Sequence, residues 1–132
     1  MGIIFGFLSL ICLILLLAKA VTRKLSLTKA NRFLFRLHKP LSVLFLLFII
    51  LHLIFVFPVL KGRALFLTLS GLVLFALAIL ITVLCHTMKQ PKMRLSWHRI
   101  LSACLFVFAV IHLVVYTIDF NHYQTDIKNI EI

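Results

Sequence analysis

Four histidines in this 132-residue sequence stand at a spacing that could do chemistry. His38 and His52 lie in RLHKPLSVLFLLFIILHLIFVF, and His98 and His112 lie in SWHRILSACLFVFAVIHLVVY, fourteen residues apart in each case. On an α-helix that separation turns through about 1400°, roughly 40° short of four full turns, and climbs about 21 Å. Both imidazoles of a pair therefore point toward one side of their helix, at two different heights. Neutral imidazole nitrogens suit six-coordinate haem iron, one on each side of the porphyrin plane. If the two helices run in the same direction, His38 meets His98 at one level and His52 meets His112 at the other.

The neighbouring residues fit that chemistry. Ser42 and Ser102 follow the first histidine of each pair by four residues, on the same helix face one turn deeper, where a bulky side chain would crowd a macrocycle. The remainder of the face is apolar: Phe45, Phe48 and Ile49 in one copy, Leu105, Phe108 and Ala109 in the other. Arg36, Lys39 and Arg99 stand at the His38/His98 end as cations for propionates, with Lys61 and Arg63 at the opposite rim. Each feature also has a plainer account. An intramembrane histidine can serve as an interhelical hydrogen-bonding group, a serine can permit close helix approach, and basic residues can set topology.

The elements that must position these residues are membrane helices. The sequence is 64% hydrophobic and 13% charged, with a mean hydropathy of +1.20. A soluble domain is about half apolar and about a quarter charged. The excess lies in four runs, at about 2–18, 38–60, 64–86 and 98–118, each long enough to cross a hydrocarbon core of about 30 Å. Backbone amides in lipid need partners within their own segment, so the runs are expected to be helices. The expected fold is an all-α integral membrane four-helix bundle, residues 1–118, with a short extracytoplasmic tail at 119–132. The tail, DFNHYQTDIKNIEI, holds all three acidic residues and is expected to fray.

The net charge of +11 would suggest nucleic acid in a soluble protein, but the basic residues occupy short segments between apolar runs. No nucleic-acid partner is expected; anionic lipid is. Residues 19–39, containing KAVTRKLSLTKANRFLFR, hold seven Lys and Arg, and residues 87–99 hold four; the KGR turn holds two and the tail one. The positive-inside rule then puts both termini outside. KGRA, with Gly62, reads as a tight turn. The first run, although AKA at 18–20 resembles a cleavage site, lacks a basic leading region and reads as an uncleaved helix. Cys12, Cys85 and Cys104 all fall inside apolar runs, without CxxC spacing.

An internal repeat appears at an offset of sixty. His38 matches His98, Leu41 Leu101, Ser42 Ser102, Phe48 Phe108, His52 His112 and Leu53 Leu113, with Lys39 against Arg99. The chain therefore reads as two duplicated helix hairpins, although the first and third helices agree far less well than the second and fourth.

LHKPLSVLFLLFIILH and WHRILSACLFVFAVIH resemble the ferric reductase-like transmembrane domain of NADPH oxidases, ferric reductases and the haem subunit of bacterial methionine sulfoxide reductase. The resemblance covers about residues 30–118. It implies two stacked b-type haems, held by His38 with His98 and by His52 with His112. This sequence departs from that family in having four helices instead of about six, serine where glycine commonly follows the first histidine, and no GxGxxG loop.

These observations lead to an expected electron-transfer cytochrome b in a membrane such as the bacterial cytoplasmic membrane, not catalytic by itself. A separate flavoprotein, a quinol or a bound flavin would supply its electrons, with further subunits completing a larger complex. Two alternatives stay open: a quinone-linked haem anchor of a respiratory complex, and a haem-free structural or assembly protein. His86 reads as an interfacial cap and His122 as solvated. Asp119 is either another cap or a group serving a quinone or proton exit. Pro40 either opens the second helix or kinks it.

Overall fold

A computed structural model describes residues 1–58 and 65–130, with side chains for 1–58 and 65–121. The described residues form four helices: α1 (Gly2–Lys24), α2 (Thr28–Val56), α3 (Leu65–Thr87) and α4 (Pro91–Ile130). All four are long and apolar enough to cross a membrane, α4 through its stretch Pro91–Asn121. The chain is an all-α integral membrane protein. It divides into two compact units, Met1–Val59 and Leu60–Ile132. The KGRA turn, with Lys61, Gly62 and Arg63, lies outside the described residues.

In the first unit α1 and α2 form an antiparallel hairpin. Facing positions run in opposite directions along the two helices: a Cβ on Gly2 would meet Val56, one on Gly6 would meet His52, and Lys19 Nζ sits 4.7 Å from the Phe35 ring centroid. Phe5 stacks on Phe55 and Phe48, at 5.5 and 6.3 Å between centroids. Cys12, Leu13 and Phe45 are buried. The chain reverses in three residues after Lys24. The Leu25 amide donates to Val21 O and the Leu27 amide to Thr22 O, while Ser26 takes φ 55, the left-handed conformation that ends many helices.

The second unit repeats this plan. Ser70 meets His112 and Cys85 meets His98, so α3 and α4 are also antiparallel. Its buried residues are Leu67, Ala78 and Leu105. Leu105 stands sixty residues after Phe45, as the repeat requires. Ala78 stands sixty-five after Leu13, a correspondence between α1 and α3 that the offset of sixty misses.

Three sequence expectations need correction. The basic stretch 19–39 is mostly helical rather than loop, because α1 runs to Lys24 and α2 begins at Thr28. Pro40 lies inside α2. The tail does not fray through 119–130, since α4 continues to Ile130. At 29 and 40 residues, α2 and α4 extend for about 43 and 60 Å, well beyond a hydrocarbon core of about 30 Å. Hydropathy marks where a helix leaves lipid, not where its backbone hydrogen bonding stops. The seven basic residues of 19–39 therefore ride mainly on helical stems.

Most large apolar side chains are exposed, as expected where lipid is the solvent, so interior contacts rest on close packing rather than on hydrophobic transfer. Ala78 is only 3% exposed. Ala78→Leu is expected to overpack the α3–α4 hairpin and cost about 1–3 kcal/mol, whereas Ile79→Leu on the exposed face should change little. Unfolding titrations of the two variants in mixed detergent will compare them.

Candidate functional site

All four candidate ligands lie on α2 and α4, and all four are half-buried.

In the first hairpin, His52 Nδ1 lies 2.8 Å from the main-chain oxygen of Gly2. A carbonyl only accepts, so Nδ1 carries the proton and the ring's lone pair is on Nε2. The ring reaches α1 because Gly6 has no side chain: a Cβ there would stand 3.0 Å from His52 Cε1 and Nδ1. Gly2 allows the helices to close further along, where a Cβ would come within 2.7 Å of Val56 Cγ2. At the other level, the register set by Gly6 and His52 puts Ala20 opposite His38, fourteen residues along each helix. Ser42 Oγ donates to the His38 carbonyl at 2.7 Å, so its hydroxyl is engaged with its own helix one turn back.

The second hairpin builds the same arrangement from different residues. His112 Nδ1 lies 2.8 Å from Ser70 Oγ, and Ser70 Oγ donates to Leu67 O at 3.0 Å. The hydroxyl has one proton: with that proton on the carbonyl it accepts from His112 Nδ1–H and the ring's lone pair is on Nε2, as in His52, whereas with it on the ring Nδ1 is the acceptor. Gly71 opens the space, since a Cβ there would be 3.3 Å from His112 Cε1. Fourteen residues after Gly71, Cys85 Sγ lies 3.5 Å from His98 Nδ1, a weak contact in which either group can donate.

Small residues thus lie against three of the histidines: Gly6 on α1 against His52, and Gly71 and Cys85 on α3 against His112 and His98; continuing the α1 register by fourteen residues reaches Ala20. Sequence reasoning singled out the histidines and missed these partners. The signal was present as the fourteen-residue spacing within α1 and α3. It was hidden because those helices repeat at sixty-five while α2 and α4 repeat at sixty, so equivalent positions of the two helices are five residues closer in sequence in the second hairpin.

Among the described residues, no three His, Cys, Asp or Glu side chains gather as the ligands of a lone ion. A haem iron asks for less, because the porphyrin supplies four nitrogens and the protein two. On donor chemistry His52 and His112 fit, since each engages its hairpin through Nδ1 and a neutral Nδ1–H imidazole carries its lone pair on Nε2. Of the other expected site residues, Ser102 is half-buried on α4, and Arg36, Lys39 and Arg99 are exposed. His86 is exposed in the last turn of α3, where a basic group complements the helix dipole. Asp119 is half-buried on α4. The side chain of His122 lies outside the described residues.

No family model matches this sequence, and no curated protein or solved structure is similar to it. The likeness to the ferric reductase-like domain rests on the histidine segments themselves.

The closeness of Gly6 to His52 yields a direct test. Gly6→Leu must displace the imidazole from Gly2 O, and is expected to cost about 1–3 kcal/mol by overpacking. Gly6→Ala, which needs a shift of only a few tenths of an ångström, should cost less. Unfolding in detergent, with the His52 ring resonances followed by NMR, reads both effects. An unmoved His52 ring in Gly6→Leu would contradict the register.

Proposed function

We propose that this chain is a small membrane cytochrome b that carries electrons across the bilayer. His38 and His98 would ligate one b-type haem, and His52 and His112 a second. The observation that carries the reading is the repeat itself: two histidines fourteen residues apart on one helix of each hairpin, with His52 against Gly6, His112 against Gly71 and His98 beside Cys85. One such pair can be explained by helix packing alone. Two copies in the same internal register favour ligands.

Bound haem supplies the one-electron chemistry. This chain's residues would hold His52 as the Nδ1–H tautomer through Gly2 O and surround the imidazoles with apolar side chains. Gly6 and Gly71 leave the rings room to lie against the neighbouring helix of their own hairpin. Arg36, Lys39 and Arg99 provide cations for propionates at the end that the positive-inside rule assigns to the cytoplasm. Electrons would come from a flavoprotein, a bound flavin or a quinol. A quinone-linked anchor subunit remains the nearest relative of this reading; quinone-site inhibitors that perturb the haem spectrum would favour it.

The same hydrogen bonds support a second reading, in which the histidines are interhelical clasps and no haem is bound. An intramembrane hydrogen bond of this kind is worth about 0.6–2 kcal/mol, sufficient to justify the imidazoles structurally.

Spectroscopy separates the two. Protein purified from haem-replete cells should show a Soret band and two b-type haems per chain. His38→Ala and His98→Ala should each remove one spectral component, and His52→Ala and His112→Ala the other. A colourless preparation sinks the cytochrome reading. Loss of the same component in His38→Ala and His112→Ala would refute the pairing.

A further inference from the structure

Carbonyls at equivalent positions serve the two hairpins differently. Gly2 and Leu67 are sixty-five residues apart, the same offset that relates Gly6 to Gly71 and Leu13 to Ala78. In the first hairpin Gly2 O accepts directly from His52 Nδ1 at 2.8 Å. In the second, Leu67 O accepts from Ser70 Oγ at 3.0 Å, and Ser70 Oγ contacts His112 Nδ1 at 2.8 Å. The position of Ser70 is occupied by Phe5 in the first hairpin, where the ring stacks on Phe48 and Phe55 instead. A hydroxyl has thus been interposed between the carbonyl and the imidazole. With the Ser70 proton on Leu67 O, the polarity of the first hairpin is kept: Nδ1–H donates and the carbonyl is the final acceptor.

We propose that Ser70 is a positioning residue that fixes His112 as the Nδ1–H tautomer, directs Nε2 toward iron, and sets that imidazole's strength as a ligand. The proposal rests on the cytochrome reading. Two properties recommend a hydroxyl at this place. It spans the gap between carbonyl and ring, and it becomes a better acceptor while its own proton is donated to Leu67 O. An accepted Nδ1–H bond raises the basicity of the opposite nitrogen, and outer partners of this kind typically alter metal affinity by about 10–100-fold. Stronger donation from Nε2 favours oxidised iron and so lowers the potential of the haem concerned. His52 receives the corresponding support from main chain, which no side-chain substitution can remove. His112 receives it from a side chain, and that makes its haem the adjustable one.

Full-length Ser70→Ala and Ser70→Thr provide the test, with two readouts. One is the 15N chemical shift pattern of His112 in protein prepared without haem, which distinguishes the two tautomers. The other is a redox titration with haem-loss kinetics of loaded protein. Wild-type protein should show His112 as Nδ1–H. Ser70→Ala should mix the tautomers, raise one midpoint potential while leaving the other in place, and speed loss of that haem by about tenfold. Ser70→Thr, which keeps the hydroxyl, should restore all three. A haem-binding protein whose His112 is Nε2–H, whose potentials ignore Ser70→Ala, or whose Thr variant behaves like Ala overturns the role of Ser70 alone. Absence of haem from the wild-type protein overturns the cytochrome reading, and the role toward iron falls with it.

Discussion

A ring N–H inside hydrocarbon must find its acceptor within the protein, because no water is present to serve. An unsatisfied polar group there costs several kcal/mol. The structure of each hairpin follows from meeting that demand at half-buried imidazoles. His52 needs an acceptor on α1, so α1 must approach closely, and close approach requires glycine at Gly2 and Gly6. His112 needs one on α3, and Gly71 with Ser70 meets the same need by a slightly longer route. The histidines are therefore determinants of the helix register as well as candidate ligands.

That dual role explains why either assignment, clasp or ligand, uses the same nitrogen in the same way. For His52 and His112, Nδ1 is engaged by the neighbouring helix of the hairpin, which leaves Nε2 as the nitrogen for a ligand role. A helix pair needs only one such clasp to fix its register. A second histidine four turns away adds little to register that the first has not already determined. The repetition in both hairpins is what weighs toward a function beyond packing.

Much of this was legible in the sequence. Four apolar runs without carboxylates in the first three specified membrane helices, and the offset of sixty between His38 and His98, or His52 and His112, specified a repeat. Other features were hidden for physical reasons. Helix ends were misplaced because α2 and α4 continue past the lipid boundary, which hydropathy marks and backbone hydrogen bonding does not respect. Pro40 was ambiguous because its place within α2 depends on twelve preceding helical residues that are rich in charge, not oil. The acceptors were the least legible. Gly2 contributes a main-chain oxygen, which leaves no mark on side-chain patterns. Ser70 falls opposite no serine in α1. A single ungapped offset cannot align both halves of hairpins whose equivalent positions differ by five residues in separation, so Gly6 and Gly71 appeared unrelated.

The divergence between the copies is concentrated where it would matter to an electron carrier. The histidines match, as do the glycines against which His52 and His112 lie. The groups touching the imidazole nitrogens do not: a main-chain oxygen stands against a hydroxyl for His52 and His112, and the level of Ala20 carries a thiol, Cys85, beside His98. Two identical bis-histidine sites would have similar potentials, and a chain of equal sites has no internal preference for direction. Changing only the partners of Nδ1 alters ligand basicity without disturbing coordination or hairpin register. On the cytochrome reading, a repeat of this kind separates the task of holding iron from the task of tuning it. The first is assigned to residues the two hairpins share, and the second to those by which they differ.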